Sequence, residues 1–277
     1  MKQNQNAKIA RIWEIDALRG FLILSMLGYH LYKSVAEMCI YGGYNIDPVA
    51  YVNATDPLRF WFMIDEAGQV SYAAFPAFSV KYLQPLVGIT FFLISGIATN
   101  FSRNSLRNSL RVLCGAVFVS LFTMLLVILT GDETRFIRFG VLHCYAACHL
   151  VYTFILEGSS NKLLLFTAAG SLVIGYFLKF FPIYSNSPLL VPFGIYEHNV
   201  SMRDYWPLFP MMGWFLIGIV FGRYVYSDKK TKFPECENVK CLRPLCFLGR
   251  CSGLIYCGHI VLYTAMFCGI GYIFNLY

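Results

Sequence analysis

The sequence predicts an all-α fold, a polytopic membrane helix bundle of about seven transmembrane helices with its N-terminus in the cytoplasm. Three observations lead there. Of 277 residues, 57% are apolar and only 13% are charged, about half the charged share usual for a soluble domain. The apolar residues come in blocks of roughly 18 or more, the pattern of membrane spans. Lysine and arginine alternate in density from one intervening segment to the next, as topology signals do.

The first block is expected at Ala17–Lys33. Glu14 and Asp16 flank it and no small-residue cleavage site follows, so it reads as an anchor that stays rather than a signal peptide. Further spans are expected near Leu83–Asn100, Leu110–Thr130, Phe136–Leu156, Leu163–Phe181, Trp206–Tyr226 and Gly253–Asn275. Two longer polar segments separate them, about 38–82 and about 182–205. Short interfacial helices are expected near Trp61 and Tyr72. A basic segment, about 227–252, carries Lys229, Lys230, Lys232, Lys240, Arg243 and Arg250. Placing it in the cytosol puts both long segments outside. No hydrophilic stretch is long enough to fold separately, so 1–277 reads as one domain in the cell membrane.

The net charge of +7 does not point to nucleic acid, because the cations sit between apolar blocks rather than interleaved with aromatics. The lipid bilayer is the partner expected. Ten cysteines are present; Cys236, Cys241, Cys246 and Cys251 recur every five residues, wider than paired zinc ligands usually stand. No metal is expected.

The first span holds the residues with chemistry. At helical spacing Asp16, Arg19, His30, Lys33 and Glu37 fall on one stripe, with lipid-compatible Leu18, Leu22, Ile23 and Met26 mostly elsewhere. Ionisable residues in a span normally face protein or a wet cavity. Arg19 and His30 stand roughly 16–17 Å apart along the axis. A guanidinium suits phosphate and an imidazole suits proton transfer. The spacing alone leaves two readings open: the two ends of a site for a long cofactor, or a headgroup anchor plus an interhelical hydrogen bond.

The run from Arg11 to Gly20, followed by a span ending in Tyr29-His30, resembles membrane acyltransferases. The match is to the catalytic domain of heparan-α-glucosaminide N-acetyltransferase, and to the wider acyltransferase-3 superfamily, where an arginine, ten residues and a histidine recur on the first helix. Phe91–Gly96, Arg138–His143, Asp204–Pro210 and Leu248–His259 resemble further motifs of the first family, in order. The resemblance implies an acetyltransferase that moves an acetyl group from cytosolic acetyl-CoA to an amine or hydroxyl of an extracytoplasmic sugar or glycan. It would place Arg19 on the CoA phosphates and His30 at the transfer point, the histidine role following the acyltransferase-3 pattern.

Among the remaining residues, His259 is a second candidate for the catalytic site, and Arg223 and Arg250 for phosphate binding. His143 and His149 read as interhelical hydrogen-bonding residues, His198 as an ordinary loop residue, and Arg138 as a structural pairing partner. Asp47, Asp65 and Glu66 are loop acids able to orient a sugar or a base. The competing reading is a non-enzymatic small-molecule transporter using the same stripe as a proton relay. Oligomeric state is left open, a homodimer included.

Overall fold

The computed structural model describes residues 12–40, 62–64, 70–72, 84–102, 104–131, 133–196, 204–236 and 239–273. His198, Asp47, Asp65 and Glu66 lie outside them. The chain is mostly helical in this range, with one short hairpin and irregular links between helices. Helix α1 (Trp13–Ile40) runs past the span expected at its core, because no glycine or proline stands between Gly28 and Gly42 to stop it. The hairpin pairs β1 (Phe62–Ile64) with β2 (Val70–Tyr72), Phe62 opposite Tyr72 and Ile64 opposite Val70. It stands where short helices were expected. The aromatic and β-branched residues at these paired positions favour strand instead.

The remaining helices are α2 (Gln84–Thr99), α3 (Ser105–Thr130), α4 (Val141–Val151, continued by a π-helical turn at Tyr152–Leu156), α5 (Asn161–Phe180), α6 (Leu208–Val225), α7 (Arg243–Arg250) and α8 (Ser252–Ile273). Local chemistry sets several ends. The Asn104 side chain accepts from the Arg107 amide at 2.8 Å and starts α3. Gly131, at φ 70°, ends it in the left-handed conformation. Ser160 caps α5 through the Leu163 amide. The span expected from Phe136 is helical only from Val141, because Gly140 is extended and bridges to Tyr205. The segment read as a basic loop, 227–252, holds α7, which meets α8 at a 74° bend.

Small residues set the helix contacts, as in membrane bundles. Gly96 lies against the Phe215 carbonyl and Gly218 against that of Leu93, bringing α2 and α6 together backbone to backbone. Gly175 packs on Pro210 between α5 and α6. Gly20 of α1 and Gly249 of α7 interlock, each facing a backbone carbonyl of the other helix, Leu245 and Asp16 respectively. Phe92, Phe215, Leu216, Ile219 and Leu164 fill the largest core. A second joins α1, α3, α4 and α8 through Ile23, Ala116, Leu142 and Tyr256.

The outward faces are as apolar as the core: Phe166 is 79% and Leu129 71% exposed. Such an exterior fits hydrocarbon rather than water. Among the described residues three helices, α3, α5 and α6, are long and apolar enough to cross a membrane, and a fourth span results if the bent α7–α8 pair is counted as one.

Candidate active-site cavity

A cavity of about 1670 Å³ lies between α1, α2, α3, α4 and the α7–α8 pair. Arg19 and His30 both line it, as do Leu18, Leu22, Ile23 and Met26, which were expected mostly on another face; the side chains of Lys33 and Glu37 lie outside the described residues. Ser95, His149, Arg250, Asp204, Trp206 and Tyr256 line it too, along with Arg107 and Arg111 from the start of α3.

Around His30, the ring of His259 from α8 packs with centroids 4.9 Å apart and planes tilted by 55°. Tyr29 meets His30 edge-on at 5.5 Å. His259 is 4% exposed and is flanked by Tyr256 and Tyr263 at 5.2 and 5.6 Å. Its Nδ1 donates to the Tyr256 backbone carbonyl. A carbonyl only accepts, so the proton sits on Nδ1 and Nε2 keeps its lone pair. The two histidines singled out in the sequence therefore form one cluster.

Asp204 ties this cluster to the rest of the bundle. It sits in the link before α6 at φ 51°, a left-handed position aspartate tolerates. Its Oδ2 accepts from the Tyr256 hydroxyl and, at 3.4 Å, from the Val141 amide at the start of α4. Its Oδ1 accepts from Trp206 Nε1 at 3.3 Å. Gly140 allows the approach, since a Cβ there would meet Asp204 at 2.9 Å. Burial pushes the Asp204 carboxyl above the ordinary carboxylate range, and the Tyr256, Val141 and Trp206 donors oppose that shift. The His259 ring lies within reach of its charge. Asp204 stood in a motif of the sequence without a role. Its position just before an apolar span was the available signal.

Toward Arg19, His149 Nε2 lies 3.0 Å from the Ser95 hydroxyl, an interhelical hydrogen bond of the kind expected. Arg19 is within electrostatic reach of the same ring. Arg250 lines the cavity with its Nε donating to the Cys246 carbonyl at 3.0 Å and lying 3.7 Å from Asp16. Arg223 is placed elsewhere. It donates to the Ser159 carbonyl and Asn161 Oδ1, both at 2.8 Å, and to the Tyr152 hydroxyl at 3.3 Å. It binds the α4–α5 connection to α6 and does not line the cavity. His143 bonds Ser120 at 3.0 Å and accepts from the Gly140 amide. Arg138 is exposed and ion-pairs with no described residue. Among the described residues no group of three His, Cys, Asp or Glu side chains is arranged for a metal.

Chemically, the cavity lining combines four arginines, Arg19, Arg107, Arg111 and Arg250, with the His30 imidazole and the buried Asp204 carboxyl. A long ligand with an anionic end and a reactive end fits such a space.

Comparison with known proteins bears on what that ligand is. The sequence model described as heparan-alpha-glucosaminide N-acetyltransferase, catalytic, matches residues 57–261, about three quarters of the chain. The match takes in His149, Asp204, Arg250, Tyr256 and His259, whereas Arg19 and His30 precede it. Neither the comparison with curated proteins nor that with solved structures found a match.

Proposed function

This chain belongs to the heparan-alpha-glucosaminide N-acetyltransferase catalytic family, and from that membership we propose that it moves an acetyl group from acetyl-CoA to an amine or hydroxyl of an extracytoplasmic sugar or glycan. The observation that carries this reading is His30, which lines the same cavity as Arg19 and has the His259 ring packed against it.

The residues fit the donor. Arg19 and Arg250 supply fixed positive charge for its phosphates. Leu22, Phe91, Leu142 and Tyr145 form apolar walls for the arm that follows. His30 faces the reacting end. As the acceptor nitrogen or oxygen bonds to the thioester carbon, its proton passes to His30. The carbon–sulfur bond then breaks, and the thiolate leaves and takes up that proton. His259 presents its Nε2 lone pair beside His30, oriented by the Tyr256 carbonyl. Asp204 anchors Tyr256 through its hydroxyl. Both histidines also permit a route through an acetyl-imidazole.

The topology in this proposal is seven spans, α1 to α6 and α8, with the N-terminus cytoplasmic. The cations support it: the basic 227–252 segment, Arg107 and Arg111 then share the side of Arg19, where acetyl-CoA is made. The cell membrane is the location, with a multi-pass arrangement.

The test is a titration of purified protein with acetyl-CoA, followed by an assay of labelled acetyl transfer to a panel of amino sugars and glycans. The expected result is donor binding, transfer to at least one acceptor, and a loss of about 100-fold or more in His30→Ala with donor binding retained. Absence of donor binding and of transfer to every acceptor would overturn the proposal, and proton-coupled uptake without CoA would favour a transporter.

A further inference from the structure

Donor binding at Arg19 and Arg250 leaves two arginines of the same cavity without a role. Arg107 and Arg111 stand one turn apart near the start of α3, and both line the cavity. Arg111 donates to Asn108 at 3.3 Å, and among the described residues neither guanidinium meets a carboxylate. Glu157 accepts from Ser105 at 3.1 Å but does not line the cavity. At about 100° per residue, Arg107, Arg111, Cys114 and Phe118 fall within about 60° on one face of α3. All four line the cavity.

The cavity is open beside this face. Phe21 of α1, Leu110 and Phe118 of α3 and Leu254 of α8 line it and are nonetheless 47–79% exposed. Leu142 and His149 of α4, in the same lining, are buried. A side chain walling a closed cavity is covered by its neighbours, so exposure of this size marks an opening. Helix α3 is long and apolar enough to cross a membrane, and Phe118 stands at the middle of its 26 residues. At that depth the opening faces hydrocarbon. From Arg107 to Phe118 the face rises roughly 16 Å, the depth of one leaflet in a core about 30 Å thick. The space of about 1670 Å³ also exceeds the roughly 300–1,000 Å³ of a small-molecule pocket, which leaves room for a second occupant.

We propose that an anionic phospholipid occupies this opening, its phosphate on Arg107 and Arg111 and an acyl chain along Leu110, Cys114 and Phe118. Charge selects the headgroup. Two cations without a carboxylate partner attract a net negative phosphodiester, whereas a zwitterionic headgroup brings its own cation to the same place. Guanidiniums also grip phosphate oxygens in pairs. The chain needs no specific partner, because Phe21, Leu110, Phe118 and Leu254 offer it apolar walls. This lipid site does not depend on acetyl-CoA being the donor.

The test uses protein in phosphatidylcholine nanodiscs, labelled with a phosphatidylglycerol that carries a diazirine in the middle of one acyl chain. Mass spectrometry maps the adducts. They are expected on Leu110–Phe118, and unlabelled phosphatidylglycerol should suppress them at about tenfold lower concentration than added phosphatidylcholine. Arg107→Gln combined with Arg111→Gln should abolish that preference, and the two corresponding lysine replacements should keep it. Each variant is first shown to be monodisperse with the thermal midpoint of wild type.

In wild type alone, adducts absent from that face, or equal suppression by the two lipids, would overturn the proposal. A preference that survives the glutamine pair would overturn it too. Suppression by free CoA or pyrophosphate as effective as that by phosphatidylglycerol would give the arginines to a soluble phosphate ligand, which also overturns it. No step requires acetyl transfer, so a failed transfer assay leaves the lipid site standing, and failure of the lipid site leaves the donor reading untouched.

Discussion

The ring of His30 on the first helix lies 4.9 Å from that of His259 on the last. Residues far apart along the chain thus meet, His30 lining the cavity and His259 packed against it, and only His259 lies within the segment that matches the family. If the two rings handle one proton, their substitutions act as a unit. His30→Ala and His259→Ala should each lower kcat about 100-fold or more, and the double variant should be little worse than the poorer single one. Steady-state kinetics with labelled acetyl-CoA measure this, and additive losses would separate the two roles.

Asp204 joins the link before α6 to α4 and α8, and Trp206 of its own link is the third donor. Tyr256→Phe removes one of these donors from a buried carboxylate and should destabilise the bundle by about 1.5–3 kcal/mol. Thermal unfolding in detergent checks this. The same change should lower kcat, since the segment bearing the Tyr256 carbonyl, which orients His259, loses its anchor. An unchanged midpoint would show that Asp204 is satisfied without Tyr256.

Arg223 and Arg19 should respond in opposite ways. Arg223→Ala breaks three hydrogen bonds between the α4–α5 connection and α6. Its expected effect is a lower thermal midpoint with KM for acetyl-CoA unchanged. Arg19→Ala is expected to raise that KM about tenfold or more and to leave the midpoint close to wild type. The reverse pattern would exchange their roles.

Much of this was legible in the sequence. Apolar blocks with few charges announced a helical membrane bundle, and 3.6-residue periodicity placed Arg19 and His30 on one inward stripe. Contacts made far along the chain were not legible. Nothing near His259 indicates that it meets His30, and the composition before α6 does not show that Asp204 reaches both α4 and α8. Arg223 illustrates the limit for cations: an arginine at the end of an apolar helix has the same pattern whether it awaits a phosphate or holds a carbonyl. The hairpin at Phe62–Ile64 and Val70–Tyr72 was hidden because aromatic, half-polar stretches suit interfacial helices as well as strands.

The α2–α6 contact admits no added atoms on Gly218, because the nearest neighbour is the Leu93 carbonyl and backbone cannot turn aside. Gly218→Leu should destabilise by about 1–3 kcal/mol or more, read as a lower midpoint and a loss of monodisperse protein. Normal behaviour of that variant would mean the two helices are not in this register.

The most direct measurement uses sealed proteoliposomes in which the protein has one orientation. Labelled acetyl-CoA is supplied on the side of the basic 227–252 segment, and the amino sugar is enclosed on the other. Acetylated sugar should accumulate in the far compartment, and His30→Ala should abolish it. Transfer only when donor and acceptor share a compartment, or transfer that His30→Ala leaves intact, would contradict a cavity that joins Arg19 to the His30–His259 pair.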